Sequence, residues 1–209
     1  MKTLLLVGAT GLVGKSALNQ ALADPRVGKL IAPTRRPLPP QPRLENPLVD
    51  FDALPGDAPW WAVDGVICTL GTTIRKAGSQ AAFRKVDHDY PLAVAALARL
   101  HGAAAFALTS SVGANPRSRT FYLRTKGETE RALAGCGFAS LTIVRPSFIG
   151  GERAERRPLE ALGLAVFGGL AWLMPGRYRI VPAERIARTL LTAAVAAEPG
   201  VRIVESEAI

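Results

Sequence analysis

The sequence predicts an α/β fold: a doubly wound, mostly parallel sheet in a single domain. The first observation is that the apolar run Thr3 to Val7 breaks at Gly8 and passes through Gly11 and Gly14 into a helix-periodic stretch. A buried strand therefore turns sharply into a helix. Second, short apolar runs and amphipathic stretches alternate to the end of the chain, the order expected of repeated β-α units whose sheet is covered on both faces. Third, 209 residues with 48% apolar content can bury one core of about one domain's size, and no linker is long enough to divide the chain. Ligands of such a sheet lie at the carboxyl ends of its strands.

The first strand ends in Gly8-Ala9-Thr10-Gly11-Leu12-Val13-Gly14. Glycines at this spacing let the backbone approach a bound group, and the helix that follows, Leu12 to Leu22, turns unpaired N–H donors and its positive dipole end toward a pyrophosphate. Asp24-Pro25 stops that helix, and Lys29 to Pro33 reads as the second strand. It leads into Thr34-Arg35-Arg36 and a proline-dense loop from Pro37 to Pro42. An acidic residue near this point would suit a ribose 2′-hydroxyl, whereas Arg35 and Arg36 suit a 2′-phosphate and point to NADP(H). Leu48 to Phe51 is the expected third strand, its end beside the adenine with Asp50 as an acceptor. Asp64 to Leu70 is the fourth, running into Gly71-Thr72-Thr73 over the cofactor.

A long amphipathic helix, Gln80 to His101, precedes the fifth strand, Ala105 to Ser111. Thr120 to Leu133 is helical and is stopped by Gly135 and Gly137, and Leu141 to Arg145, closed by Pro146, is the sixth strand. Ser147 to Arg157 is polar and glycine-rich, and Leu159 to Met174 is almost wholly apolar. Sixteen residues with Glu160 among them are too few to span a bilayer comfortably, so no stable membrane insertion is expected. The segment 147–181 is read as a substrate-cleft or interface element, with a homodimer as the oligomeric expectation. Pro182 and Glu184 open a helix that runs to Ala197, and Val201 to Glu205 is the last strand.

Composition narrows the function. The net charge of +9 comes from 20 arginines and six lysines that are scattered, with no basic run longer than two, so no nucleic-acid partner is expected. Cys68 and Cys136 give neither a disulfide framework nor a zinc spacing, and no metal site is expected. A single Lys precedes the first strand, a pattern without a secretory leader, so the expected location is cytoplasmic.

The informative chemistry is Tyr122 and Lys126, four residues apart on one helix face. A lysine ammonium close to a phenol favours the phenolate, which suits a tyrosine that passes protons to or from a carbonyl oxygen. Ser110 and Ser111 close the preceding strand at its carboxyl end, where a hydroxyl could hold the same oxygen.

With these residues in this order, the chain resembles the short-chain dehydrogenase/reductase superfamily over nearly its whole length. Gly8 to Gly14, Thr109-Ser110-Ser111, Tyr122-x-x-x-Lys126 and Arg145-Pro146 carry that resemblance. Cys68-Thr-Leu-Gly-Thr-Thr73, Val86-Asp-His-Asp-Tyr90 and Lys126-Gly-Glu128 are similar to the atypical subgroup around the human Tat-interacting, NADPH-binding protein and its bacterial relatives. The resemblance implies a Rossmann fold, NADP(H), and a catalytic set of Ser110 or Ser111, Tyr122 and Lys126, with Lys126 also on the nicotinamide ribose. In the glycine turn, the cofactor-binding residues are expected to be Gly8, Thr10, Gly11, Leu12, Val13 and Gly14. Arg35, Arg36, Asp50 and Phe51 would serve the adenosine side, and Leu70, Gly71, Thr72, Tyr122, Lys126 and Pro146 the nicotinamide side.

Two departures stand out. Asp87 occupies the helix position where many members carry a catalytic Asn, and the Gly-x-x-Gly-x-x-Gly spacing goes with extended and atypical members. The expected function is hydride transfer between the nicotinamide and a small-molecule carbonyl or alcohol. The competing reading is a binding module in which NADPH orders a protein-interaction surface around 159–174, without turnover.

Overall fold

Residues 1–150 and 179–209 are described by a computed structural model. The apolar run near the N-terminus forms β1 (Lys2–Val7), and α1 (Leu12–Ala23) follows after the glycine turn. Then come β2 (Val27–Ile31), β3 (Leu44–Glu45) and β4 (Gly65–Cys68). The short helices α2 (Ile74–Ala77) and α3 (Gln80–Arg84) lead through a π-helical turn, Lys85–Asp89, into α4 (Tyr90–Leu100). After β5 (Ala105–Thr109), α5 (Phe121–Ala134) and β6 (Ser140–Arg145), two short strands, β7 (Ile149–Gly150) and β8 (Val181–Pro182), pair in parallel. The chain closes with α6 (Ala183–Ala196) and β9 (Gly200–Glu205).

Seven strands form one sheet in the order β3-β2-β1-β4-β5-β6-β9, and every pairing is parallel. The doubly wound sheet expected from the sequence is thus observed as a Rossmann fold. The order reverses between β1 and β4, which defines the crevice at their carboxyl ends as the ligand-binding side. Alternate residues of β1 serve opposite cores. Leu4 and Leu6 pack with Ala17, Leu18 and Ala21 of α1 and Ile186, Leu190 and Leu191 of α6, while Leu5 and Val7 face Val94, Ala95 and Ala98 of α4 and Leu133 of α5. Burial on both faces explains why the strands read as continuous apolar runs.

The differences from the sequence expectation have local causes. The second strand is Val27–Ile31 rather than Lys29 to Pro33, and the expected third strand at Leu48 to Phe51 is displaced to Leu44–Glu45. Only a lone bridge joins Leu48 to Thr34. Pro47 has no N–H to continue the ladder, and Asn46 takes its place, with Nδ2 donating to the Ala32 carbonyl at 2.5 Å and to Thr34 Oγ1 at 2.8 Å. The long helix expected over Gln80 to His101 is present, but the π-helical turn interrupts its α-helical hydrogen bonding. The substrate-cleft reading of 147–181 falls mostly outside the described residues, as does the apolar stretch 159–174. Among the described residues, no helix is long and apolar enough to cross a membrane.

Candidate active site

The glycine turn is built for close approach. Gly8 has φ +89°, and a Cβ there would lie 2.6 Å from Thr69 Oγ1 and 2.8 Å from the Leu70 nitrogen, so only glycine lets the end of β1 meet the end of β4. Gly14 presses α1 onto that turn, since a Cβ on it would lie 2.0 Å from the Gly8 carbonyl oxygen. Gly11 is different. Its backbone is extended, and a Cβ would meet only the Gly8 oxygen at 3.3 Å. No side chain caps α1, so the first N–H groups of the helix, those of Leu12, Val13 and Gly14, face the crevice with room in front of Gly11. That is the donor set and the space a pyrophosphate needs. Thr10 is exposed beside it.

Arg35 and Arg36 follow β2 with exposed side chains, and neither guanidinium pairs with a described carboxylate. Their backbone is fixed because Thr34 Oγ1 donates to the Arg36 carbonyl at 2.7 Å. Phe51 is buried and packs on Tyr90 with ring centroids 5.5 Å apart. Asp50 is exposed, and one of its oxygens accepts the Asp52 N–H at 2.9 Å. Asp52 in turn holds this loop to the helix through Lys85 at 2.7 Å and the Tyr90 hydroxyl at 2.8 Å.

On the other side of the crevice, the loop after β4 lies over the Tyr-x-x-x-Lys helix. Thr69 continues β1's pattern by donating its N–H to the Val7 carbonyl at 2.9 Å. A Cβ on Gly71 would stand 3.6 Å from Asp87 Oδ1 and 3.9 Å from Lys126 Nζ. Leu70 and Gly71 therefore connect the glycine turn to the lysine. Lys126 is buried and forms an ion pair with Asp87 Oδ1 at 2.8 Å. Burial alone would lower the Lys126 pKa, but the Asp87 carboxylate and the neighbouring Tyr122 outweigh it, and the net direction is upward. Tyr122, one turn earlier on α5, is half-buried with its ring centroid 5.7 Å from that of Phe83. Cys68 lies at the base, its thiol pushed up to about 12 by burial, hence neutral and inert.

The two serines separate clearly. Ser110 Oγ donates to Glu130 Oε1 in a short hydrogen bond inside a buried network. Arg145 Nε and Nη2 donate to the same carboxylate at 3.0 and 2.6 Å, and Arg145 also pairs with Glu205 at 2.8 Å. Ser110 thus ties β5, α5, β6 and β9 together. Among the described residues, the Ser111 hydroxyl has only a long contact to the neighbouring Val112 carbonyl, 3.4 Å, which leaves it available at the strand end. Pro146 accepts the Val112 N–H at 3.0 Å and so fixes the Ser111 loop against the end of β6. Sequence reasoning missed Glu130 and Thr69. Only the glutamate's helical register with Lys126, four residues on, places it on the sheet-facing side of α5.

The glycine turn, the loop over the buried lysine and the serine-bearing strand end belong to a protein of the Rossmann fold, and solved structures share that fold. MoeE5 in complex with UDP-glucose and NAD shares the fold with a TM-score of 0.73 at 17% identity, over 96% of this chain and 74% of that one. WbmH of Bordetella bronchiseptica, in complex with NAD+, matches with a TM-score of 0.70 at 16% identity, over 99% and 76%.

The sequence is more specific. Rat HTATIP2 is 35% identical over all of this chain and 88% of its own length, and FMP52 of Eremothecium gossypii is 32% identical over 98% and 94%. This chain belongs to the HTATIP2 family. No protein-family model matches it. The cytoplasmic location expected from the sequence is overturned by these relatives, because the FMP52 proteins of Eremothecium gossypii, Emericella nidulans and Aspergillus niger are named mitochondrial. Cellular addresses are read by receptors from signals separate from the fold, so a strand close to the N-terminus does not specify the cytoplasm.

Proposed function

We propose that the protein is an NADP(H)-dependent oxidoreductase acting on a small carbonyl or alcohol compound. The observation that carries the reading is the buried Lys126 beneath the Gly71 loop, with Tyr122 one turn earlier on the same helix, and the glycine turn joined to that loop through Thr69 and Leu70. The likeness of this chain's fold to that of NAD-bound proteins supports a nicotinamide cofactor, and Arg35 and Arg36 supply the reason to choose its 2′-phosphorylated form.

The N–H groups of Leu12, Val13 and Gly14 hold the pyrophosphate, and Arg35 and Arg36 the 2′-phosphate. Phe51, with Asp50 at the rim, borders the adenine. A dinucleotide bound there would supply the hydride in reduction and accept it in oxidation. Ser111 donates a hydrogen bond to the substrate oxygen, Tyr122 gives that oxygen its proton in reduction or removes it in oxidation, and Lys126 holds the nicotinamide ribose. Ser110 contributes indirectly, by anchoring the strand end through Glu130.

The test is NADPH consumption against a panel of aldehydes, ketones and quinones, with Tyr122→Phe as control. General acid–base loss should lower kcat by roughly 10²–10⁴-fold with NADPH affinity little changed. An active wild type indifferent to that substitution would refute the mechanism. Absence of turnover across the panel, with NADPH bound, would favour a binding module.

A further inference from the structure

Lys126 lies in an unusual position for an ammonium, with its side chain only 7% exposed against an Asp87 side chain that is 1% exposed. The groups facing it among the described residues are Asp87 from the π-helical turn, Cys68 from β4 and Tyr122 from its own helix. Cys68 is a neutral thiol in this setting, so Asp87 supplies the counter-charge. Without one, an ammonium this deeply buried is expelled or loses its proton.

Asp87 is itself fixed at two points, its side chain and its backbone carbonyl. Its Oδ2 accepts the Thr72 N–H at 2.8 Å, its backbone carbonyl accepts Thr129 Oγ1 at 3.0 Å, and Thr129 Oγ1 also reaches the Thr125 carbonyl at 2.9 Å. The turn that carries Asp87 inserts a π-helical register into an otherwise α-helical segment, which rotates residue 87 relative to the α3 side. Such insertions recur at functional sites because their lower regularity is tolerated for the placement they give. Asp87 Oδ1 then reaches Lys126 at 2.8 Å directly beneath Gly71.

We propose that Asp87 is the positioning residue of the site: one carboxylate oxygen is fixed by Thr72, and the other holds the Lys126 ammonium in place and counter-charged beneath the Leu70–Thr72 loop. An asparagine at this position keeps an acceptor for Thr72 but cannot neutralise the lysine. The carboxylate therefore makes the charge of Lys126 independent of pH through the neutral and mildly alkaline range. Its effect on cofactor binding rests on the NADP(H) reading, whereas its hold on Lys126 does not.

The decisive variant is Asp87→Asn. NADPH affinity is measured by calorimetry from pH 7 to 9.5, a window in which the 2′-phosphate, with a second pKa near 6, stays fully ionised. Wild-type Kd should stay constant within about twofold, whereas the variant should weaken by about tenfold or more across the window, because loss of the counter-charge brings the titration of the buried lysine down into it. A variant as flat with pH as the wild type overturns the proposal, since a merely structural role gives a loss that does not change with pH.

A second readout needs no cofactor. The Lys126 side-chain NMR signal, assigned with Lys126→Arg, should not titrate in the wild type within the same window, because the Asp87 carboxylate and Tyr122 hold its pKa above the ordinary lysine value, and a wild-type titration inside the window overturns the proposal. Should Asp87→Asn fail to fold, adding Lys126→Met should restore folding by removing the second charge, and failure of that rescue counts against the charge pairing. A wild type that does not bind NADPH refutes the cofactor reading alone, and the NMR titration still decides the role of Asp87.

Discussion

Replacing the three glycines of the nucleotide turn should separate folding from binding, because the structure gives each a different reason to be glycine. At Gly14 a methyl group would sit 2.0 Å from the Gly8 oxygen and 2.7 Å from the Gly8 carbonyl carbon. Those atoms are backbone, so α1 must move away from the sheet, and Gly14→Ala belongs at or above the top of the usual overpacking range, about 3 kcal/mol. For a chain of this size that lowers Tm by about 6–12 °C. Gly11 has φ −74° and ψ 173°, a conformation that valine adopts readily, and the new Cβ meets only one atom at 3.3 Å. Gly11→Val gives up a tolerated helix cap for a poor one, worth about 1 kcal/mol, or roughly 2–4 °C. Its branched side chain nonetheless fills the space in front of the Leu12 and Val13 N–H groups. NADPH at a hundred times Kd stabilises the wild type by about 2.7 kcal/mol, a rise of about 5–11 °C. Thermal melts with and without NADPH should show Gly11→Val near wild-type stability with no cofactor shift. Should Gly11→Val keep the full shift, or Gly14→Ala melt with the wild type, the assignment of these two positions is wrong.

Arg35→Ser with Arg36→Ser should remove the preference for NADPH over NADH, at about 1.5–3 kcal/mol per lost charge-assisted contact, and equal affinities in the wild type would sink the 2′-phosphate assignment. Ser111→Ala should lower kcat while leaving Tm unchanged, whereas Ser110→Ala should lower Tm by leaving buried Glu130 short of a donor, about 1–3 kcal/mol; the reverse pattern would exchange their roles. Lys126→Ala should damage both NADPH affinity and kcat, and a loss confined to kcat would remove Lys126 from the ribose.

The fold was legible because its signals are local. A strand buried on both faces is mostly apolar, and the buried stretches of β1, β4, β5 and β6 read that way, with Leu4, Leu5, Leu6 and Val7 each at 0% exposure. β3 was misplaced because its edge position leaves only two paired residues, and the sheet continues past them through the Asn46 side chain rather than through a strand pattern. β7 and β8 escaped notice for a related reason: two residues each carry no periodicity.

The site was legible to the extent that its chemistry sits at fixed spacing on one element. Gly8, Gly11 and Gly14 share a turn, and Tyr122 and Lys126 share a helix face, so sequence distance stands in for spatial distance. Where partners come from different elements, it does not. Nothing in the neighbourhood of Ser110 or Ser111 says which hydroxyl is engaged, because Glu130 is 20 residues from Ser110 and is itself held by an arginine on another strand. The same limit applies to Asp87. Its residue type could be read as a departure from the catalytic asparagine pattern, but its meaning depends on a π-helical turn, a loop N–H 15 residues away and a lysine on a third element. A carboxylate in place of an amide removes the N–H donors from this position and sets a negative charge beside the buried lysine. The pH dependence of the Asp87→Asn variant is therefore the measurement that tells a charged partner of Lys126 from an uncharged one.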